Sequence, residues 1–149
     1  MIFDFESDFA GSLRCIPMIV RQKLDIVGIK LSLRQWSRFT RDERGRLTEL
    51  SCESSDAQAA YRALVLRLVE LRSDEPAVWL VTKNLGDWQD ANWMPEPVKV
   101  QAAAVGVPPP TQQQWAELTA LQRFALVKLA RSKHENENFL PAMKEFGIL

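Results

Sequence analysis

The strongest constraint on the fold of this chain is a phrase that it writes twice. "WSRFTRDERGRL", Trp36 to Leu47, returns 79 residues on as "WAELTALQRFAL", Trp115 to Leu126, with Trp, Phe or Leu, Thr, Glu or Gln, Arg and Leu at the same spacing. Ahead of each phrase a hydroxyl residue stands three positions before Gln, Ser32 with Gln35 and Thr111 with Gln114. Inside each, a second such pair follows, Thr40 with Glu43 and Thr119 with Gln122. That spacing is a capping box, in which the two side chains satisfy each other's otherwise orphaned amides at a helix start. Two helix starts in series, written twice, predict two related helical units.

The correspondence extends upstream. Pro17, Val20, Val27 and Gly28 match Pro95, Val98, Val105 and Gly106 at an offset of 78, the one-residue slip falling in the connector "VPPPT". Each unit is therefore expected to open on a helix that starts at proline, whose missing amide is not needed in a first turn, and stops at a glycine cap. In the first copy a short helix from about Leu33 to Phe39 follows, then another, separate or continuous with it, from about Arg41 to Leu50. On a helical wheel the shared Trp, Phe or Leu, Leu and Leu fall in one stripe, which makes Trp36, Leu47, Trp115 and Leu126 the expected core of the repeat.

The first unit closes on "SSDAQAAYRALVLRLVELR", with Tyr61, Leu64, Val65, Leu68 and Leu71 at helical period, and the second on "ENENFLPAMKEFG", with Pro141 near a first turn. Between them "SDEPAVWLVTKNLGDWQDANWM", Ser73 to Met94, lacks that period. It is expected to be a structured linker or a binding loop, with "AVWLVT" pairing as a short strand with the alternating "IFDFE" near the N-terminus. The expected architecture is all-α, a single compact domain over 1–149, divided into a first unit 14–72, a Trp-rich linker 73–94 and a second unit 95–149.

At 149 residues such a chain can bury roughly two-thirds of its unfolded surface without staples. Its 46% hydrophobic and 26% charged residues are those of a globular protein. No stretch approaches the roughly 20 apolar residues that a bilayer needs. The acidic start "MIFDFESDF" has no basic region leading an apolar run, so no signal peptide is expected. Two cysteines far apart, Cys15 and Cys52, suit reduced thiols in a cytoplasmic protein.

Searches for catalytic patterns return little. One histidine, His134, in the polar tract "SKHENEN", rules out a two-histidine metal helix, and six singly scattered glycines give neither a phosphate loop nor a dinucleotide fingerprint. No catalytic residue, metal or cofactor is expected, and the chain is read as a non-enzyme. Cys15 is the candidate reactive thiol, because Arg14 and the helix start at Pro17 would lower its pKa. The bland alternative is a small apolar residue under the helix entry.

Charge and aromatics supply the candidate contact surfaces. Residues 14–46 hold nine basic and three acidic side chains, and 47–97 hold four basic and nine acidic. Arg34, Arg38 and Arg41 would share a face if their helix were continuous, and with Arg46 close by in the same basic run they suit a nucleic-acid backbone or an acidic protein surface. A pI of about 6.6 and the interruption by Asp42 and Glu43 disfavour nucleic acid and favour a protein partner. Trp88 and Trp93, in "GDWQDANWMPEP", either plug a seam between the units or form a binding hot spot.

"FDFESDFAGSLRCIPMIVRQKLDIVGIKLSLRQWSRFTRDERGRL", Phe3 to Leu47, resembles the nitrate-reductase-associated protein family. The residues that carry this are Phe3, Phe5, Glu6 and Phe9, then "SLRCIPM", "KLD", "GIKL", and Trp36 with Glu43 and Arg44. The resemblance implies a small bacterial accessory protein from the neighbourhood of nitrate-assimilation genes, whose partner is an assimilatory nitrate reductase or one of its maturation factors. It carries over no catalytic or ligand residues. The readings that remain beside it are a nucleic-acid-binding regulator using the arginine face and a redox sensor using Cys15.

Overall fold

In the computed structural model, which describes residues 2–7, 15–80, 86–133 and 135–149, Pro17 is the N-cap of helix α1, Met18–Val27, and Gly28 ends it with φ 77°. A residue with a Cβ pays for that left-handed conformation, so glycine is the stop the sequence asked for. Helices α2, Leu33–Arg38, and α3, Arg41–Glu49, follow, then the long α4, Ser55–Arg72. After them come α5, Glu96–Ala104, α6, Gln112–Glu117, α7, Ala120–Arg131, and α8, Phe139–Glu145. Pro141 sits in the first turn of α8, where it breaks no helical hydrogen bond.

All four capping boxes are present. Ser32 Oγ accepts from the Gln35 amide at 3.0 Å while Gln35 Oε1 accepts from the Ser32 amide at 3.0 Å. Thr40 with Glu43, Thr111 with Gln114 and Thr119 with Gln122 repeat the exchange. The second box of each pair settles whether the helix continues. Phe39 and Thr40 are extended, with ψ 149° and 162°, as are Leu118 and Thr119. The chain stops one helix and starts another, so the apolar stripe is shared between two short helices. Trp36, Phe39 and Leu47 are still buried, as are Trp115, Leu118, Leu126 and Leu129, but Leu50 lies at the extended C-cap of α3 and is 40% exposed.

The chain divides into two compact units, Met1–Lys83 and Asn84–Leu149. In the first, α1 packs on α3 and α4, and α2 on α4, around Val20, Leu24, Trp36, Leu47, Tyr61 and Val65. In the second, α7 packs on α5, α8 and the turn at Asp87–Gln89, with Trp115, Phe124, Leu126, Phe139 and Met143 fully buried. The boundary between the units falls inside the segment 73–94, after Lys83.

The short β pairing exists with a different partner from the one expected. Strand β1, Ile29–Lys30, pairs antiparallel with β2, Val78–Trp79, with Ile29 opposite Trp79, and the Leu80 amide donates to the Gly28 carbonyl at 2.9 Å. "IFDFE" instead holds a single 3-10 turn, Asp4–Glu6. The reason is Glu6, which is buried and whose carboxylate accepts from the Phe3 and Met18 amides at 3.1 Å each. Those amides, one of them at the first turn of α1, hold the segment in a turn, and the alternation of Phe3 and Phe5 becomes a stacked ring pair at 5.5 Å.

Candidate functional site

The loop from Gly86 to Met94 is held by side chains of two helices. Gly86, at φ 86°, opens a 3-10 turn over Asp87–Gln89. From α7, Arg123 Nε donates to the Trp88 carbonyl at 2.8 Å and Arg131 pairs with Asp87 at 2.5 Å. From α6, Trp115 Nε1 donates to the Asp90 carbonyl at 3.0 Å and Gln112 to the Ala91 carbonyl at 2.9 Å. Asp90 also accepts the Asn92 amide on its own side chain at 2.8 Å. A loop without helical or sheet hydrogen bonds must place its carbonyls somewhere, and here α6 and α7 take three of them, those of Trp88, Asp90 and Ala91.

That framework separates the two loop tryptophans. Trp88 is 6% exposed and stands edge-on to Phe124, ring centroids 5.5 Å apart. It packs within the second unit, against a residue of α7. Trp93, between the Asn92 turn and the buried Met94 and Pro95, is 53% exposed. Trp79, in the expected strand segment "AVWLVT", is 54% exposed on β2. Two-residue strands have too little alternation to say which side faces out, so its exposure had no readable signal.

The arginine face comes apart for a similar reason. Because the helix breaks at Phe39, Arg34 and Arg38 belong to α2 while Arg41 and Arg46 belong to α3. The acidic turn after α4 folds back on α2: Arg38 pairs with Asp74 at 3.0 Å and Arg34 lies 3.8 Å from Glu75. Gln35 holds that turn in place through Ser73 and the carbonyls of Glu75 and Pro76, at 3.3 to 3.4 Å. Arg72 of α4 pairs with Glu43 at 3.2 Å. Arg41 and Arg46 remain exposed on α3. The charge asymmetry along the chain is thus partly neutralised within the first unit.

The arginine common to both phrases serves main chain in both. Arg44 Nη1 donates to the Trp36 and Ser37 carbonyls at 3.5 and 3.3 Å, and the buried Arg123 to the Leu118 carbonyl at 2.5 Å. Burial pulls the Arg123 guanidinium below its ordinary pKa, Asp90 opposing. The matched tryptophans differ. Trp115 Nε1 has its carbonyl, whereas Trp36 Nε1 and Arg44 Nε are buried without an acceptor among the described residues.

Cys15 is half-buried, and its Sγ accepts a hydrogen bond from Arg21, whose Nε also donates to the Ile16 carbonyl at 2.7 Å. Arg14, the neighbour invoked from sequence, lies outside the described residues, as does His134. Cys52 is buried, and burial pushes its thiol up while Lys23 partly offsets this. Lys23 is itself buried and donates to the Thr48 carbonyl at 2.7 Å; Tyr61 donates to the Leu47 carbonyl at 2.8 Å. These two bonds satisfy carbonyls of the last turn of α3, a structural task that cations at helix C-termini perform well. Burial lowers the Lys23 pKa and raises that of Tyr61.

Among the described residues no group of three or more His, Cys, Asp or Glu side chains could hold a metal ion, and no helix is long and apolar enough to cross a membrane. Fold and site together define a small, mostly helical protein that offers projecting side chains from short, well-capped elements. More particularly, residues 2–146 match the family model described as conserved nitrate reductase-associated protein, and the chain belongs to that family. No curated protein and no solved structure matches it.

Proposed function

We propose that this protein works by docking on another protein, an assimilatory nitrate reductase or one of its maturation factors, and that it has no catalytic activity of its own. The family to which the chain belongs supports the setting. The observation that carries the docking reading is Trp93, held more than half exposed on a loop fixed by five hydrogen bonds and ion pairs. Folding gains little from an indole left in water, whereas association gains from a large side chain whose ordering cost is already met. Arg41 and Arg46 offer a second contact to an acidic surface, with Arg34 and Arg38 tied to Asp74 and Glu75. We also propose that the two units descend from one.

The test is co-purification from cells grown on nitrate. The tagged wild-type chain should recover the reductase or a maturation factor reproducibly, and Trp93→Ala should lose it. Recovery of neither by the wild type, or equal recovery by both, would overturn the reading.

The hydrogen bond from Arg21 to Cys15 favours one second reading, a thiol sensor, since a guanidinium beside sulfur stabilises the thiolate. Cys15 plus hydrogen peroxide would give a sulfenic acid and water. A Cys15 that resists peroxide and a sulfenic-acid trap on the native protein would remove that reading.

A further inference from the structure

We propose that the Trp93 loop recognises a cationic, arginine-bearing segment of its partner, a guanidinium stacking on the Trp93 indole between Asp90 and Glu96. This rests on the docking reading and names the partner's chemistry. Residues 86–98 include three carboxylates, Asp87, Asp90 and Glu96, and no lysine, arginine or histidine. Asp90 accepts the Asn92 amide at 2.8 Å and lies in the field of Arg123, yet its carboxylate belongs to an exposed residue. Asp87 gives one oxygen to Arg131 and its other oxygen is buried, so it adds charge to the loop and no contact for a partner. Asp90 and Glu96 are exposed, and the Lys99 that reaches Glu96 does so only at 4.0 Å on the surface, a pairing of little strength.

Asp90 and Glu96 each lie three residues from Trp93, so the backbone spacing on either side is at most roughly 10 Å, close to the Debye length of about 8 to 10 Å in physiological salt. A cation over the indole face therefore feels both carboxylates. Of the two cationic side chains, arginine fits better: its planar, weakly hydrated guanidinium stacks on an aromatic ring and still donates in plane to a carboxylate, whereas an ammonium holds its water. An acidic partner would be repelled by Asp90 and Glu96, and an apolar one would cost them hydration without supplying a counter-charge.

The experiment is a titration of the full-length, 15N-labelled protein with a tri-arginine peptide, following the five tryptophan indole N–H resonances, with Trp93 assigned from Trp93→Phe. The Trp93 resonance should shift saturably while the buried Trp36, Trp88 and Trp115 stay still. Tri-lysine should bind more weakly and tri-glutamate not at all. Asp90→Asn with Glu96→Gln should weaken the arginine peptide about fivefold, and higher salt should do the same. Trp93→Ala should abolish the response at the neighbouring amides, and circular dichroism of both variants should match wild type. No shift at Trp93, an equal response to tri-glutamate, or undiminished binding by the carboxylate variant would overturn the proposal. The two readings fail separately. If the reductase binds and Trp93→Ala releases it, yet tri-arginine leaves Trp93 unmoved, docking stands and its cation chemistry falls; if tri-arginine binds at Trp93 and no reductase or maturation factor does, the reverse holds.

Discussion

Replacing Trp36 and Trp115 in turn by phenylalanine separates hydrogen bonding from packing, because the two indoles are equally buried and only one is bonded. With exposures of 1% and 0%, each loses a similar amount of buried ring, about 1–2 kcal/mol. At Trp36 the indole N–H is buried without an acceptor, a penalty of about 1–3 kcal/mol that the substitution removes. At Trp115 it donates to the Asp90 carbonyl at 3.0 Å, and its loss adds about 0.5–1.5 kcal/mol. Trp36→Phe should therefore leave its unit near wild-type stability, while Trp115→Phe should cost about 2–3 kcal/mol. Native-state hydrogen exchange is the assay, read on the amides of α2 and α3 for the first variant and of α6 and α7 for the second. Each unit then reports its own opening. Equal losses at the two sites, or a larger loss at Trp36, would show that the unbonded Trp36 indole carries no penalty.

Three further outcomes are expected. Arg123→Met keeps the buried stem and removes both donors, so exchange at residues 86–92 should rise about a hundredfold, equivalent to about 3 kcal/mol; unchanged protection there would show that Arg123 does not hold the loop. The Glu43 carboxyl is held below its ordinary value of 4.5 by the Thr40 amide first and by Arg72. A depressed carboxylate contributes stability that is present above its unfolded pKa and lost as pH falls through the folded one. Acid unfolding of the first unit should accordingly set in below about pH 4.5 and be less steep in Glu43→Gln, which urea melts from pH 3 to 6 would show. With a disulfide-forming reagent on the native protein, Cys15 should react before Cys52, whose buried thiol is pushed up; the opposite order would contradict the burial of Cys52.

Much of the fold was legible because its signals are local. A hydroxyl residue three positions before Gln or Glu names a helix start, and a proline and a glycine bracket α1, so the elements of both units follow from short spacings. The same spacings, taken strictly, also predict the breaks at Phe39 and Leu118, since a second capping box cannot form inside a continuing helix. What sequence did not disclose depends on pairs far apart in the chain. Glu6 reaches the start of α1 and turns "IFDFE" away from a strand. Asp74 and Glu75 return to Arg38 and Arg34 and neutralise half of the arginine face. Trp88 and Trp93 look alike in sequence, and only Arg123, Trp115 and Phe124, more than 20 residues on, decide which is buried.

Binding of a partner through the Trp93 loop can be measured with purified components. Isothermal titration of an assimilatory nitrate reductase, and then of its maturation factors, into the full chain should give saturable binding with one of them, weakened at least about tenfold, or about 1.4 kcal/mol, by Trp93→Ala. Absence of binding to all of them, or affinities that Trp93→Ala leaves unchanged, would contradict it.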